Sequence, residues 1–213
     1  MSEQKDWTKE EIEKEYVGEM IAVTVPVNVH LQGKQRILGL AEMKDILKEA
    51  RLISVGECGC RSRVKMCDAP EDVCLGLDEK AEEEIKRGSA RRVSLEKALE
   101  VLERSHDAGL VHIAYTFKDD EKPRYVCSCC SCCCHSMSGL VRFGIPDAVV
   151  ASKYVAINSS ETCINCNTCT ERCQFKARQI KNGEMVFDHK RCFGCGVCTG
   201  TCPTNSISLV KRK

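Results

Sequence analysis

Apolar residues recur with two different periods along the chain, and the periods separate strands from helices. Residues 20–31 (MIAVTVPVNVHL) alternate and are rich in valine, which predicts a strand interrupted at Pro26. Residues 38–52 carry Leu40, Met43, Ile46 and Leu47 at helical spacing, and the following LISVG predicts a short strand. The clearest helix covers 94–107. Ser94 is a good N-cap, Leu95, Ala98, Leu99 and Leu102 form one stripe, and Gly109 supplies the stop. A short charged helix over 7–15 would lay Trp7 and Ile12 on the body. Strands are predicted at 111–117 and 124–126, on either side of the turn-rich KDDEKP. Near the C-terminus, 154–157 and 207–210 read as paired end strands, and 186–188 continues after an Asn182-Gly183 turn.

This pattern predicts an α+β protein in two parts: an α/β module over 1–150 and a small second domain over 151–213. At 213 residues the chain suits one or two domains. Aromatics make up only 5%, and cysteine inflates the apolar 43%, so the core is modest and metal ligation would supply part of the folding energy. The start, MSEQKDWTKEEIEKEY, lacks the basic-then-apolar order of a signal peptide, and no apolar run approaches a membrane span. A chain with 18 cysteines and no such signal is expected to keep reduced thiols in a cytoplasm, and oxygen-sensitive centres would suit an anaerobe. Lys and Arg are spread evenly and the formal net charge is +1, so no nucleic-acid surface is expected. The tail Lys211-Arg212-Lys213 reads as a solvated end.

Eight cysteines repeat one pattern. Cys163, Cys166, Cys169 and Cys173 form C-x2-C-x2-C-x3-C, and Cys192, Cys195, Cys198 and Cys202 form it again before Pro203. Three thiolates on a tight loop and a fourth a turn later is the spacing that holds iron–sulfur cubes. Zinc also takes four thiolates, but its structural sites usually pair two C-x2-C halves far apart. The segment resembles the bacterial-type ferredoxin with two [4Fe–4S] clusters. That resemblance implies an exchange in which the fourth cysteine of each run ligates the other cluster. Cys163, Cys166, Cys169 and Cys202 would then hold cluster one, and Cys192, Cys195, Cys198 and Cys173 cluster two. Gln174 stands where the family usually has proline, which frees a backbone N–H near the second run's cluster. With about −2 per cluster and its thiolates, the loaded protein would carry about −3, a charge that steers docking only weakly.

Ten further cysteines fall in two groups. GECGCRSRVKMCDAPEDVC holds Cys58, Cys60, Cys67 and Cys74; VCSCCSCCCHS holds Cys127, Cys129, Cys130, Cys132, Cys133 and Cys134. Free cysteine often packs as a small hydrophobe, but six in eight residues exceeds what packing needs, and one or two further Fe–S clusters, or zinc, are expected here. Cys127, Cys130 and Cys133 share the three-residue spacing of cluster loops and are favoured as ligands. Arg61 and Arg63, and with them Arg91 and Arg92, either hydrogen-bond to cluster sulfur or form a solvated face. His112 reads as a satisfied core histidine and His135 as a possible ligand beside Cys134; His30, His106 and His189 carry no signal. Gly194, Gly196 and Gly200 mimic a dinucleotide fingerprint, but they lie in a cysteine loop and read as room for backbone near sulfide.

The module resembles one that precedes ferredoxin domains in 4Fe–4S-binding proteins of anaerobes. The shared landmarks are C-x-C-R at 58–61, Cys67 before Asp68-Ala69-Pro70, Asp72 to Cys74, an A-R-R-V helix start at 90–93, G-L-V-H at 109–112, and 127–134, where Ser128 replaces the usual asparagine. Three functions compete. The first is an electron carrier or electron-transfer subunit serving a flavoprotein or metal-containing oxidoreductase. The second is an iron–sulfur reductase with its substrate site at the N-terminal cysteines. The third is a zinc-stabilised scaffold that docks the ferredoxin. Whether the chain is itself an enzyme, and its oligomeric state, are open at this stage.

Overall fold

The computed structural model describes residues 5–15, 20–25, 41–117, 120 and 122–212. In chain order the elements are α1 (Lys9–Glu15), β1 (Met20–Val25), α2 (Ala41–Glu49), β2 (Ile53–Gly56), α3 (Gly59–Val64) and β3 (Cys74–Leu77). Then come α4 (Asp78–Lys86), β4 (Ala90–Val93), α5 (Leu95–Asp107), β5 (Val111–Phe117), β6 (Tyr125–Cys129) and α6 (His135–Val141). The C-terminal part holds β7 (Tyr154–Asn158), α7 (Thr168–Glu171), β8 (Arg178–Lys181), β9 (Glu184–Phe187) and β10 (Ile207–Lys211).

Six strands form one sheet in the order β1-β5-β6-β3-β2-β4. Every pairing in it is antiparallel, so the N-terminal part is α+β rather than a crossover α/β unit. Trp7, Ile12, Met43, Leu47, Leu75 and Leu102 are buried in its main apolar cluster. The stripe read from 94–107 thus faces the core, and Ser94 caps α5 by accepting a hydrogen bond from the Lys97 N–H. The strand expected over 20–31 is described only as far as Val25, and Leu40 also lies outside the described residues.

Two elements differ from expectation. Residues 90–93, read as a helix start, form β4, which pairs with β2, and the helix begins only after Ser94. Its Arg91 and Arg92 are exposed, as on a solvated edge. β3 and α4 carried no legible period, because α4 buries only Ala81.

The C-terminal part is two antiparallel pairs, β7 with β10 and β8 with β9, the latter turning at Asn182-Gly183 with φ of 53° and 84°. The two halves of the chain share an apolar cluster in which Val111, Tyr115, Cys129 and Cys134 meet Phe175 and Val197.

Candidate metal centres

The two cysteine runs fold as copies of one another. Asn165 and Asn167 in the first run have φ of 52° and 63°, and Gly194 and Gly196 occupy the same positions in the second with 68° and 80°. Three residues after each fourth cysteine, Lys176 and Asn205 share φ of 54° and 53°. Left-handed residues at these points curl each loop back on itself, which asparagine and glycine tolerate best. At Gly194 the need is absolute, since a Cβ there would collide with the Tyr154 carbonyl on β7.

Two small cavities result, each of about 20 Å³. One is lined by Cys163, Cys166, Cys169 and Cys202, the other by Cys173, Cys192, Cys195 and Cys198. Each therefore draws three thiols from one run and the fourth from the other. Burial pushes the Cys195 thiol well up and Cys198 to about 11. Such thiols ionise only against a strong positive charge, the property of a metal ligand in a dry pocket.

The ten N-terminal thiols divide differently from their order in the sequence. Cys67, Cys130, Cys132 and Cys133 place their sulfurs within 4.8 Å of one another, with Cys67 at 3.8 Å from both Cys130 and Cys133. The other six, Cys58, Cys60, Cys74, Cys127, Cys129 and Cys134, line a cavity of about 370 Å³. The favoured trio is thus split: Cys130 and Cys133 belong to the tight group and Cys127 to the cavity. Cys127 and Cys129 point to the same side because strand neighbours two apart share a face. The intervening Ser128 turns the other way, with its Oγ 3.0 Å from His112 Nδ1.

His112 is thus a core histidine, fully buried and held neutral by burial with its pKa lowered to about 3, but it is only half satisfied: its Nε2 has no hydrogen-bond partner among the described residues. His135 lines the cavity, its Nδ1 3.2 Å from Cys60 Sγ. The Tyr115 hydroxyl lies 3.5 Å from Cys134 Sγ and 3.7 Å from Cys129 Sγ.

Arg61 and Arg63 also part company. Arg61 is fully buried; it donates to the carbonyls of Pro70 and Ser128 and reaches Cys130 Sγ at 3.6 Å. Arg63 meets no sulfur. It stacks on Trp7 at 3.7 Å and pairs with Glu11 at 2.7 Å. Trp7 in turn donates its indole N–H to the Cys133 carbonyl, so the segment just before α1 braces the tight thiol group.

Residues 162–207 match the 4Fe-4S dicluster domain family. The chain is 33% identical over 58 residues to the pyruvate synthase subunit PorD of Methanocaldococcus jannaschii, which covers 27% of this chain and 67% of that subunit. The chain belongs to the 4Fe-4S dicluster ferredoxins. It is also 35% identical over 52 residues to an uncharacterised ferredoxin of the same organism, covering 24% of this chain and 34% of that protein. These likenesses concern about a quarter of the chain.

Two residues of the ferredoxin domain carry roles that the cysteine spacing did not announce. Gln174, in place of the usual proline, directs its side chain to the N-terminal half. Its Oε1 accepts from the Ser131 N–H at 3.0 Å and hydroxyl at 2.9 Å, and its Nε2 donates to the Gly109 carbonyl at 3.1 Å. With Arg172, which donates to the carbonyls of His106 and Asp107, it fixes the ferredoxin domain against the loop of tight thiols.

Arg178 is 2% exposed and stacks over Phe187 at 4.3 Å. Its charge pulls on the thiols of both Cys169 and Cys198, one from each cavity, against the upward push of burial. A buried cation between two anionic clusters favours the reduced state of both. Arg178→Met is expected to lower both midpoint potentials by on the order of tens of millivolts, and Arg178→Lys to restore most of the shift. An EPR-monitored redox titration in which only one cluster moves would place the guanidinium beside that cluster alone.

Proposed function

We propose that the protein is an iron–sulfur electron-transfer protein or subunit that exchanges low-potential single electrons with a partner oxidoreductase, a flavoprotein or a metal-containing enzyme. The observation that carries this is the pair of four-thiol cavities, each completed by a cysteine from the opposite run. On this reading Cys163, Cys166, Cys169 and Cys202 hold cluster one, and Cys192, Cys195, Cys198 and Cys173 hold cluster two. When bound, such clusters supply stepwise one-electron storage.

The chain's own residues give the pair a direction. Cys166 is exposed, and Ile164 beside it is 62% exposed, so the first site opens to solvent. An apolar side chain beside a near-surface centre suits a transient redox contact. The second site has no exposed thiol, its Cys192 is buried, and Phe175 stacks on Phe193 at 4.5 Å in its lining. A partner would therefore exchange electrons at site one, and site two would relay them inward. One relative is named as a subunit of pyruvate synthase, which supports an oxidoreductase as the partner. No helix among the described residues is long and apolar enough to cross a membrane.

The tight group supports a second, narrower part of the proposal. Four sulfurs around one tetrahedral ion at about 2.3 Å stand about 3.8 Å apart, as Cys67 does from Cys130 and Cys133. Thiolates on four separate irons of a cube stand farther apart. Cys67, Cys130, Cys132 and Cys133 thus suit one ion, zinc or iron, in a structural role.

The test of the electron-transfer proposal is a potentiometric titration of the anaerobic protein. Both ferredoxin clusters are expected to titrate below about 0 mV, within the low range open to such centres. Two midpoints above that value would contradict a ferredoxin-type donor or acceptor.

A further inference from the structure

The six-thiol cavity is a different object from the three four-thiol sites. A cysteine that serves only to pack behaves as a small hydrophobe and fills space, and protein interiors leave few voids larger than a water molecule. These six line an open cavity of about 370 Å³ instead of filling it. Their side chains form one continuous series. Cys127 meets Cys74, Cys74 meets Cys58, Cys58 meets Cys60, Cys60 meets Cys134, and Cys134 meets Cys129.

Donors already surround the series. The Tyr115 hydroxyl lies between Cys129 and Cys134, and the His135 ring is against Cys60. The buried Arg61 bears on Cys58 from the side of the tight group. Hydrogen-bond donors and a cation around ligating sulfurs are the usual surroundings of a metal cluster. Such a number of buried thiolates needs several metal ions to balance it.

We infer that this cavity holds an iron–sulfur assembly of more than four irons, anchored by Cys58, Cys60, Cys74, Cys127, Cys129 and Cys134. Six terminal thiolates exceed the four that one cube uses. As each sulfur–iron bond forms, the thiol gives its proton to solvent. The ferredoxin domain adjoins this centre: Cys129 and Cys134 share an apolar cluster with Cys173 and Cys195 of site two. Electrons arriving at site two would thus have a short onward step. That supply rests on the electron-transfer proposal above, whereas the size of the assembly rests on the six thiols that line one cavity.

The experiment is native mass spectrometry with iron, sulfide and zinc analysis of the full chain, purified anaerobically or loaded with iron and sulfide. It compares wild type with Cys74→Ser, Cys127→Ser and the double variant. Wild type is expected to exceed the double variant by more than about four irons, with the EPR signals of the ferredoxin clusters unchanged. A difference of about four irons or fewer, or zinc in the cavity, would overturn the inference. If the variants fail to fold, the wild-type mass still decides. A total above about twelve irons beyond a single ion supports the assembly, and about twelve or fewer rejects it. Loss of the ferredoxin signals with the cavity iron retained would count against the electron-transfer proposal and leave this one standing.

Discussion

Cys195→Ser should cost the protein one of its two ferredoxin clusters and leave the other in place. Cys195 lies in the cavity completed by Cys173, while the first cavity draws none of its thiols from Cys195. Serine is a poorer ligand for soft iron than a thiolate. Iron should fall by about four per chain, and one of two reduced-state EPR signals should vanish. The N-terminal metal content should be unchanged, because none of its ten thiols lines either ferredoxin site. If the exchange between runs were absent, Cys173→Ser would destroy the cluster of its own run; with the exchange, Cys173→Ser and Cys195→Ser lose the same EPR signal. Different signals lost in the two variants would refute the ligand assignment.

Cys133→Ser should have the largest effect on the fold. Cys133 is fully buried, its sulfur is 3.8 Å from Cys67, and its carbonyl accepts the Trp7 indole N–H. The ion in this group would tie the loop after α3 to the loop after β6. Structural zinc contributes about 10–16 kcal/mol to folding in small domains, comparable with a whole domain's stability of about 5–15 kcal/mol. The variant is therefore expected to lose cooperative melting of the N-terminal sheet by circular dichroism, together with one metal ion per chain. Unchanged melting and metal content would show that the four thiols only pack.

How much of this was legible depended on whether the signal was local. α5 announced itself through its Ser94 cap and its stripe, and the paired end strands β7 and β10 through valine and isoleucine beside the cysteine runs. The eight ferredoxin cysteines carry a spacing set by one loop geometry, so the spacing survives in the sequence. β3 and β4 are four residues each, too short to show a period, and α3 buries an arginine where a hydrophobe would have marked the face. The division of the other ten thiols was hidden for a different reason. Cys67 joins Cys130, 63 positions away, and not its sequence neighbours Cys60 and Cys74. Only the pairing of β3 with β6 brings those segments together. Gln174 was noticed for the proline it replaces, whereas its side-chain bonds to Ser131 and Gly109 depend on how the halves pack.

The central claim is that the domain over 162–207 works with two iron–sulfur cubes in single-electron transfer. It is tested most directly by EPR spin quantification of the fully reduced, anaerobic full-length chain. Two interacting paramagnetic centres per chain are expected from the ferredoxin domain, lost stepwise on Cys195→Ser and then Cys163→Ser. A diamagnetic reduced protein with zinc in place of iron at these eight thiols would contradict it.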